Sequence, residues 1–402
     1  MIEIQQENEK KTRCFLVGEP GNNLVELEGL IFTLGMELAG KLTLSRLEPS
    51  PAYGMGSGKA QEITQTAHEK DADCIIFDFN IEPTKQRNWE KLFKKPVFDR
   101  QEVILRIFAQ RAQTKEAVLQ VELARLEYSL PRLAHMYGDL ARQRGGNYGS
   151  KGSGETQLEL DTRTVRLKIQ QLKKELEKVV QNRTVQRKKR EKIPLPVCAL
   201  TGYTNAGKSS LLNALTGSDV FVENKLFATL DPTTRRLPLK DSTSILMTDT
   251  VGFISNLPHS LVDAFKSTLE EAERADLLLL VIDASDEQSE AQYNTCLKVL
   301  GEIGADRKPK IIVLNKIDKL PNNDLLPAEL NKKFPEARRV SVKTGEGLSE
   351  LIEDISTVLF GEKQDFILKP EEYKKIEQIR KTGVLYKEEW QEDGIHITAR
   401  IK

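Results

Sequence analysis

Four cysteines in 402 residues, Cys14, Cys74, Cys198 and Cys296, are too few and too scattered for a disulfide framework or a paired zinc site. Reduced thiols and a cytoplasmic setting are therefore expected. Apolar runs of membrane-spanning length are also missing, and residues 1–7 are polar and acidic rather than a basic stretch leading into an apolar one. Neither sign of charge is in excess: Lys plus Arg and Asp plus Glu number 60 each, so only local charge can speak for partners. What remains is a chain with 39% hydrophobic residues, enough for ordinary packed cores, and a length that suits roughly two to four domains.

Gly202-Tyr203-Thr204-Asn205-Ala206-Gly207-Lys208-Ser209 is a complete G-x-x-x-x-G-K-[ST] phosphate loop between an apolar strand at 194–201 and a helical pattern at 209–215. Its glycines let backbone N–H groups close around phosphate oxygens, and the helix start adds positive potential. Lys208 would neutralise the outer phosphates, and the Ser209 hydroxyl would hold Mg²⁺. Further along, Asp249-Thr250-Val251-Gly252 ends a strand. Asp249 would reach the metal through water, and the Gly252 amide would meet a γ-phosphate, so the following loop senses that phosphate. In between, Phe227-Ala228-Thr229-Leu230-Asp231-Pro232-Thr233-Thr234 is a Thr-rich connection. Thr229 is the candidate for a second hydroxyl on Mg²⁺, with Thr233 and Thr234 open by spacing.

The base signal is Asn315-Lys316-Ile317-Asp318, which ends an apolar strand. A carboxylate at Asp318 can accept from the ring N–H and exocyclic amine of guanine. Adenine offers neither donor there and would leave the carboxylate unpaired. Asn315 would tie this loop to the phosphate loop, Lys316 would lie along the base, and the backbone of Ser341-Val342-Lys343 would contact the guanine carbonyl. The expected ligands are GTP and Mg²⁺, and the expected reaction is hydrolysis to GDP and phosphate.

Ahead of this unit the pattern is α/β. It has a strand at 12–17, a helix at 24–38 and a strand at 42–47, then a glycine-rich turn at 51–59 leading to a helix at 60–70 and a strand at 74–79. Gly54, Gly56, Gly58 and Lys59 are either a plain tight turn or an anion site at a helix start; their spacing fits neither the phosphate loop nor the dinucleotide fingerprint. From Arg100 the chain reads as helix. Val118, Leu119, Val121, Leu123, Leu126, Leu130 and Leu133 form an apolar stripe with a kink expected at Pro131. A second helix at about 155–192 turns Leu158, Val165, Ile169, Leu172, Leu176 and Val179 inward. Antiparallel packing would join the two into a long hairpin reaching roughly 45 Å. Its tip at 142–154 carries Arg142, Arg144, Lys151 and Tyr148 among glycines, and its stem ends in Arg183, Arg187, Lys188, Lys189, Arg190 and Lys192. Basic residues on loop and stem point to RNA rather than DNA, because no helix-turn-helix or finger spacing is present. The expected parts are an α/β subdomain at 1–112, the hairpin at 113–192, an alternating strand-helix nucleotide domain at 193–360 and a small α+β module at 361–402. The last holds a strand at 366–368, a helix at 371–381 and a hairpin turning at Asp393-Gly394.

Taken together, the phosphate loop, Phe227 to Arg235, Asp249-Thr250-Val251-Gly252-Phe253-Ile254 and the helix-opening run Gly152-Ser153-Gly154-Glu155-Thr156-Gln157-Leu158-Glu159-Leu160 resemble an HflX-type GTPase over nearly the whole length. The turn at Gly54 to Lys59 and Gln86-Arg87-Asn88 are similar to that family too. The resemblance implies a Ras-like GTPase domain and binding to the ribosome and its RNA, chiefly the large subunit, by a monomeric protein. It further implies a role in separating stalled or idle ribosomes into subunits. ATP hydrolysis and RNA unwinding at the N-terminal domain are implied as well. A ribosome-assembly GTPase and an ATP-dependent RNA remodeller or RNA-binding adaptor are the competing readings. Phe253 stands where many Ras-like GTPases carry the glutamine that orients the attacking water, so slow intrinsic turnover is expected. Asn205 would either hold K⁺ beside the phosphates or merely stabilise the loop, and with Lys208 and Gly252 it completes the candidate catalytic set.

Overall fold

The computed structural model describes residues 11–46, 50–136, 153–190, 195–218, 225–239, 243–255, 269–320, 328–391 and 393–401. They fall into two compact units, one up to Val185 and the other from Gln186 on.

The first unit opens with strand β1 (Arg13–Gly18), helix α1 (Val25–Thr33), strand β2 (Glu37–Thr43), helix α2 (Ser57–Glu69) and strand β3 (Cys74–Phe77). Helix α3 (Pro83–Phe93), strand β4 (Val97–Asp99) and helix α4 (Arg100–Arg111) follow. The strands form a parallel sheet in the order β2-β1-β3-β4. The patterns of β1 and β3 are nearly uninterrupted apolar runs because both faces are covered. Phe15, Val17, Phe77, Trp89 and Phe93 fill the core, each large side chain contributing about 1.5–3 kcal/mol by leaving water. Pro83 starts α3, where its missing N–H costs no hydrogen bond, and Asp99 caps α4 by accepting from Glu102 N at 3.0 Å.

Two expectations shift here. The helix expected over 24–38 ends at Thr33, and the second strand is Glu37–Thr43 rather than 42–47. Its place is set by pairing with β1, from Arg13↔Glu37 to Gly18↔Thr43, while its own half-exposed pattern gives no periodic signal. The helix after the glycine turn begins at Ser57, so Gly58 and Lys59 lie in its first turn.

Two long helices complete this unit: α5 (Lys115–Met136), which runs through Pro131, and α6 (Ser153–Arg190). Lys168–Glu122 at 2.5 Å and Lys173–Glu127 at 2.8 Å link them, and Leu172 of the expected inner face is buried. The basic tip residues Arg142, Arg144 and Lys151 lie outside the described residues, as do Lys192 and the side chains of Arg183 to Arg190.

The second unit contains β5 (Val197–Gly202), α7 (Lys208–Thr216), β6 (Thr233–Pro238), β7 (Ser244–Asp249) and β8 (Leu277–Asp283). It continues with α8 (Ser289–Glu302), β9 (Lys310–Asn315), α9 (Ala328–Lys333), β10 (Arg338–Arg339) and α10 (Leu348–Phe360). The sheet order is β10-β9-β8-β5-β7-β6, parallel except for β6 on β7. This reversal of direction around β5 puts a crevice at the carboxyl ends of the strands.

Strand β11 (Lys363–Leu368), helix α11 (Tyr373–Thr382) and strands β12 (Val384–Gln391) and β13 (Gly394–Arg400) form a small antiparallel sheet in the order β11-β13-β12. It is fastened to the nucleotide domain. Val384 belongs to the core shared with β5, β8 and α10. Arg400 donates to Thr357 Oγ1 and to the Gly361 carbonyl, both at 2.8 Å, and pairs with Glu353. Among the described residues, no helix is long and apolar enough to cross a membrane.

Candidate nucleotide-binding site

Four strand ends meet at the crevice: Gly202 on β5, Asp249 on β7, Asp283 on β8 and Asn315 on β9. From Gly202 the chain turns through Tyr203–Gly207 into α7. Asn205 takes a left-handed φ of 62° and Gly207 one of 94°. A Cβ at Gly207 would lie 2.3 Å from Asn315 Nδ2, so no larger residue fits there. That amide nitrogen instead donates to the Ala206 carbonyl at 2.9 Å, and Asn315 Oδ1 accepts from Val342 N at 3.3 Å. One side chain thus ties three loops together.

Lys208 is buried and donates to the carbonyls of Gly202 at 3.1 Å and Tyr203 at 2.8 Å. Burial pushes its ammonium pKa down, opposed by Asp249. Burial likewise pushes the Asp249 carboxyl up, opposed by Lys208 and by the hydroxyls of Ser209 and Thr229. Ser209 Oγ donates to Asp249 Oδ2 at 2.6 Å, Thr229 Oγ1 donates to the same oxygen at 2.9 Å, and the two hydroxyls are 2.8 Å apart. The neighbouring oxygen, Asp249 Oδ1, is buried without a hydrogen-bond partner. Two hydroxyls and a carboxylate with spare acceptor capacity are the hard oxygen donors that suit Mg²⁺. Of the threonines left open by spacing, Thr229 is the one brought to this cluster. Thr233 and Thr234 lie in β6, where Thr234 Oγ1 is 3.0 Å from Thr248 Oγ1.

The loop after Asp249 closes the opposite wall. Thr250 Oγ1 donates to the Leu200 carbonyl at 2.7 Å, Phe253 N to the Gly202 carbonyl at 3.0 Å, and Thr204 N to the Phe253 carbonyl at 2.8 Å. Ser255 N donates to Tyr203 Oη at 2.8 Å. Val251 and Phe253 are buried. A cleft is lined by Thr204, Asn205, Gly207, Lys208, Ser209 and Ser210, and by Lys225, Phe227, Ala228, Thr229, Thr250 and Gly252. Leu230 is buried apolar support, and neither it nor Asp231 lines the cleft.

In the loop after β9, Asp318 Oδ1 accepts from Ser341 Oγ at 2.8 Å, and the same hydroxyl oxygen accepts from Thr344 N at 3.2 Å. Ile317 is buried beneath this loop, and Lys343 is exposed. Lys316 has a φ of 64°, and its Nζ reaches the Asn205 carbonyl at 2.7 Å and Asp283 Oδ2 at 2.7 Å. Asp283 was not singled out in the sequence. It is a carboxylate ending the strand beside the one that ends in Asn315, and the register that pairs the two is not written in their apolar runs. Lys225 was also missed.

The glycine turn at 54–59 belongs to the first unit. Asn88 Nδ2 donates to the Ala52 carbonyl at 2.9 Å, Trp89 Nε1 donates to the Tyr53 carbonyl at 3.0 Å, and Lys59 pairs with Glu62 at 2.7 Å.

Comparison with known proteins agrees with this geometry. Residues 21–109 match the family model described as GTP-binding GTPase N-terminal, residues 111–190 the GTP-binding GTPase middle region, and residues 197–316 the 50S ribosome-binding GTPase domain. The GTPase HflX of Akkermansia muciniphila is 45% identical over 375 residues, covering 88% of this chain and 85% of that protein. The GTPase HflX of Caldanaerobacter subterraneus subsp. tengcongensis is 41% identical over 405 residues, covering 100% of this chain and 93% of that protein. Among solved structures, a GTP-binding protein from Sulfolobus solfataricus in complex with GDP is 27% identical, covers 87% of this chain and 98% of its own, and has a TM-score of 0.46. With the loops after β5, β7 and β9 converging on one crevice and relatives of this identity spanning nearly its whole length, the chain belongs to the HflX family of GTPases.

Proposed function

We propose that this GTPase uses its nucleotide state to control binding to the large ribosomal subunit, and that its GTP-bound form separates stalled or idle ribosomes into subunits. The observation that carries the reading is the match of residues 197–316 to a ribosome-binding GTPase model, seated on a crevice whose γ-phosphate wall, Thr250 to Phe253, is hydrogen-bonded to the phosphate loop. A loop tied to that wall has two arrangements to offer a partner, one with the phosphate and one without.

In this reading Lys208 exchanges its carbonyl contacts for the β- and γ-phosphates, and the Gly252 N–H meets the γ-phosphate. Ser209 and Thr229 hold Mg²⁺, with Asp249 acting through water. Bound there, the metal would offset charge on the phosphate oxygens. Asp318 accepts from guanine, Lys316 lies along its face, and the backbone of Ser341 to Lys343 meets its carbonyl. Phe253 is buried and apolar, so it cannot aim a water by hydrogen bonding. A K⁺ ion held by Asn205 would offset charge developing on the phosphoryl oxygens, or the ribosome would supply the missing group. GTP turnover measured in K⁺ and in Na⁺, with and without ribosomes and with Asn205→Ala, separates the two, since equal rates in both salts remove the potassium role.

Sedimentation of intact ribosomes with the protein and a non-hydrolysable GTP analogue tests the main reading. Loss of the intact-ribosome peak is expected, and binding confined to immature particles would favour an assembly role. A second nucleotide site at Gly54 to Lys59 is the weaker reading, because that turn is already fastened to α3 and Lys59 is paired. ATP turnover and RNA unwinding that survive in a Lys208→Ala variant would revive it.

A further inference from the structure

We propose that the Thr204 side chain is a catalytic group, its hydroxyl donating a hydrogen bond to the γ-phosphate of bound GTP. The proposal rests on the reading of the crevice as a GTP site and goes beyond it, because a phosphate loop recruits anions through backbone N–H groups and its lysine, whereas here a side chain would be added.

Thr204 lines the cleft yet is only 7% exposed, and its Oγ1 is buried with no hydrogen-bond partner. A buried hydroxyl left unpaired is costly, so such a group calls for a partner. Its backbone cannot do the job: Thr204 N–H is spent on the Phe253 carbonyl at 2.8 Å. Its place is fixed from two sides. A Cβ built on Gly252 would fall 2.8 Å from Thr204 Cα and Cγ2 and 3.0 Å from Lys208 Nζ. Gly252 therefore lies against both Thr204 and Lys208, so the threonine borders the place where the Gly252 amide and the ammonium would hold the γ-phosphate. Of the two orphaned oxygens of the crevice, ionised Asp249 Oδ1 can only accept, whereas the Thr204 hydroxyl can also donate, which a phosphate oxygen would satisfy.

A γ-phosphate, not a β-phosphate, is the partner this position suits, and that gives the role a signature. Charge spreads over the γ-phosphoryl oxygens as the bond to the leaving oxygen loosens, so a fixed donor there favours GTP over GDP and the transition state over both. The Phe253 side chain has no polar atom to offer this wall, which leaves the Thr204 hydroxyl as a side-chain donor beside Lys208.

Thr204→Ala, Thr204→Val and Thr204→Ser are the test, each measured for GDP affinity, affinity for a non-hydrolysable GTP analogue and GTP turnover. The Ala and Val variants are expected to lose about tenfold or more in turnover and several-fold in analogue affinity while GDP affinity stays within about twofold. Serine keeps the hydroxyl and should keep both. Equal loss of GDP and analogue affinity in the Ala and Val variants would overturn the proposal by making Thr204 a loop-shaping residue. So would wild-type turnover in the Ala variant, or a Ser variant as slow as Ala. Failure of the unaltered protein to bind either nucleotide would instead bring down the GTP-site reading beneath it.

Discussion

Both units end a parallel sheet in a set of charged side chains, and they finish that end in opposite ways. In the first unit the charges answer one another. Arg100 pairs with Asp78 at 2.6 Å and with Glu26, and Asn22 donates to the same Asp78 carboxylate. Asp99 accepts from Tyr128 Oη at 2.8 Å, Arg132 Nη2 at 3.0 Å and Glu102 N at 3.0 Å. Burial pushes the Asp78 carboxyl up and Arg100 opposes it. In the second unit a glycine loop holds the strand ends apart, Lys208 rests on two carbonyls, and a carboxylate oxygen and a hydroxyl lack partners. The same layered architecture yields one end where charged side chains pair with each other and one where a glycine loop leaves a cleft between them. Function therefore has to be argued from the site rather than the fold.

The largest expected effect tests the closed end. Arg100→Leu strips the cation from two carboxylates, one of them almost fully buried, and should destabilise the protein by about 3–5 kcal/mol in thermal or denaturant unfolding while leaving GDP affinity unchanged. A loss below about 1 kcal/mol would mean that the network does not hold that end together. At the open end, Lys208→Ala should cost about 2–3 kcal/mol of nucleotide binding, roughly 30- to 140-fold in a GDP titration. Unaltered affinity there would abolish the contrast. Asp318→Asn should weaken GTP by about 2 kcal/mol and relax selection toward xanthine nucleotides, whose altered carbonyl prefers a donor; competition binding reads both. The smallest effect sharpens the comparison within the open end. Asp283→Asn should weaken GDP by about 1 kcal/mol through Lys316, and should add nothing in a Lys316→Ala background. Additive losses would detach Asp283 from that lysine.

These sites differ in how far they could be read without coordinates. The phosphate loop, Asp249 to Gly252 and Asn315 to Asp318 are each defined by a few consecutive residues at a strand end, so local pattern and chemistry suffice. The choice of Thr229 over Thr233 and Thr234 is not local. It depends on where β6 begins, and pairing with β7 places Thr233 opposite Asp249 inside the ladder. The Lys316–Asp283 contact depends on the register of β8 against β9, which two apolar runs do not reveal. In the first unit β1 and β3 announce themselves through buried apolar runs, whereas the edge strand β2 shows mixed exposure and was read several residues too late.

The fastening of the small terminal sheet bears on the order in which the molecule can be made. The four-stranded sheet of the first unit closes within residues 13–99, a contiguous stretch that can pack as soon as it has been synthesised. The nucleotide domain has no such independence: Val384 is one of its core residues, and Arg400, on the middle strand of the terminal sheet, bonds back to α10. A growing chain can therefore hold a finished first unit while its crevice still lacks part of its support. Competence to bind nucleotide should thus arrive late in synthesis, after the residues that read as an appendage have been added.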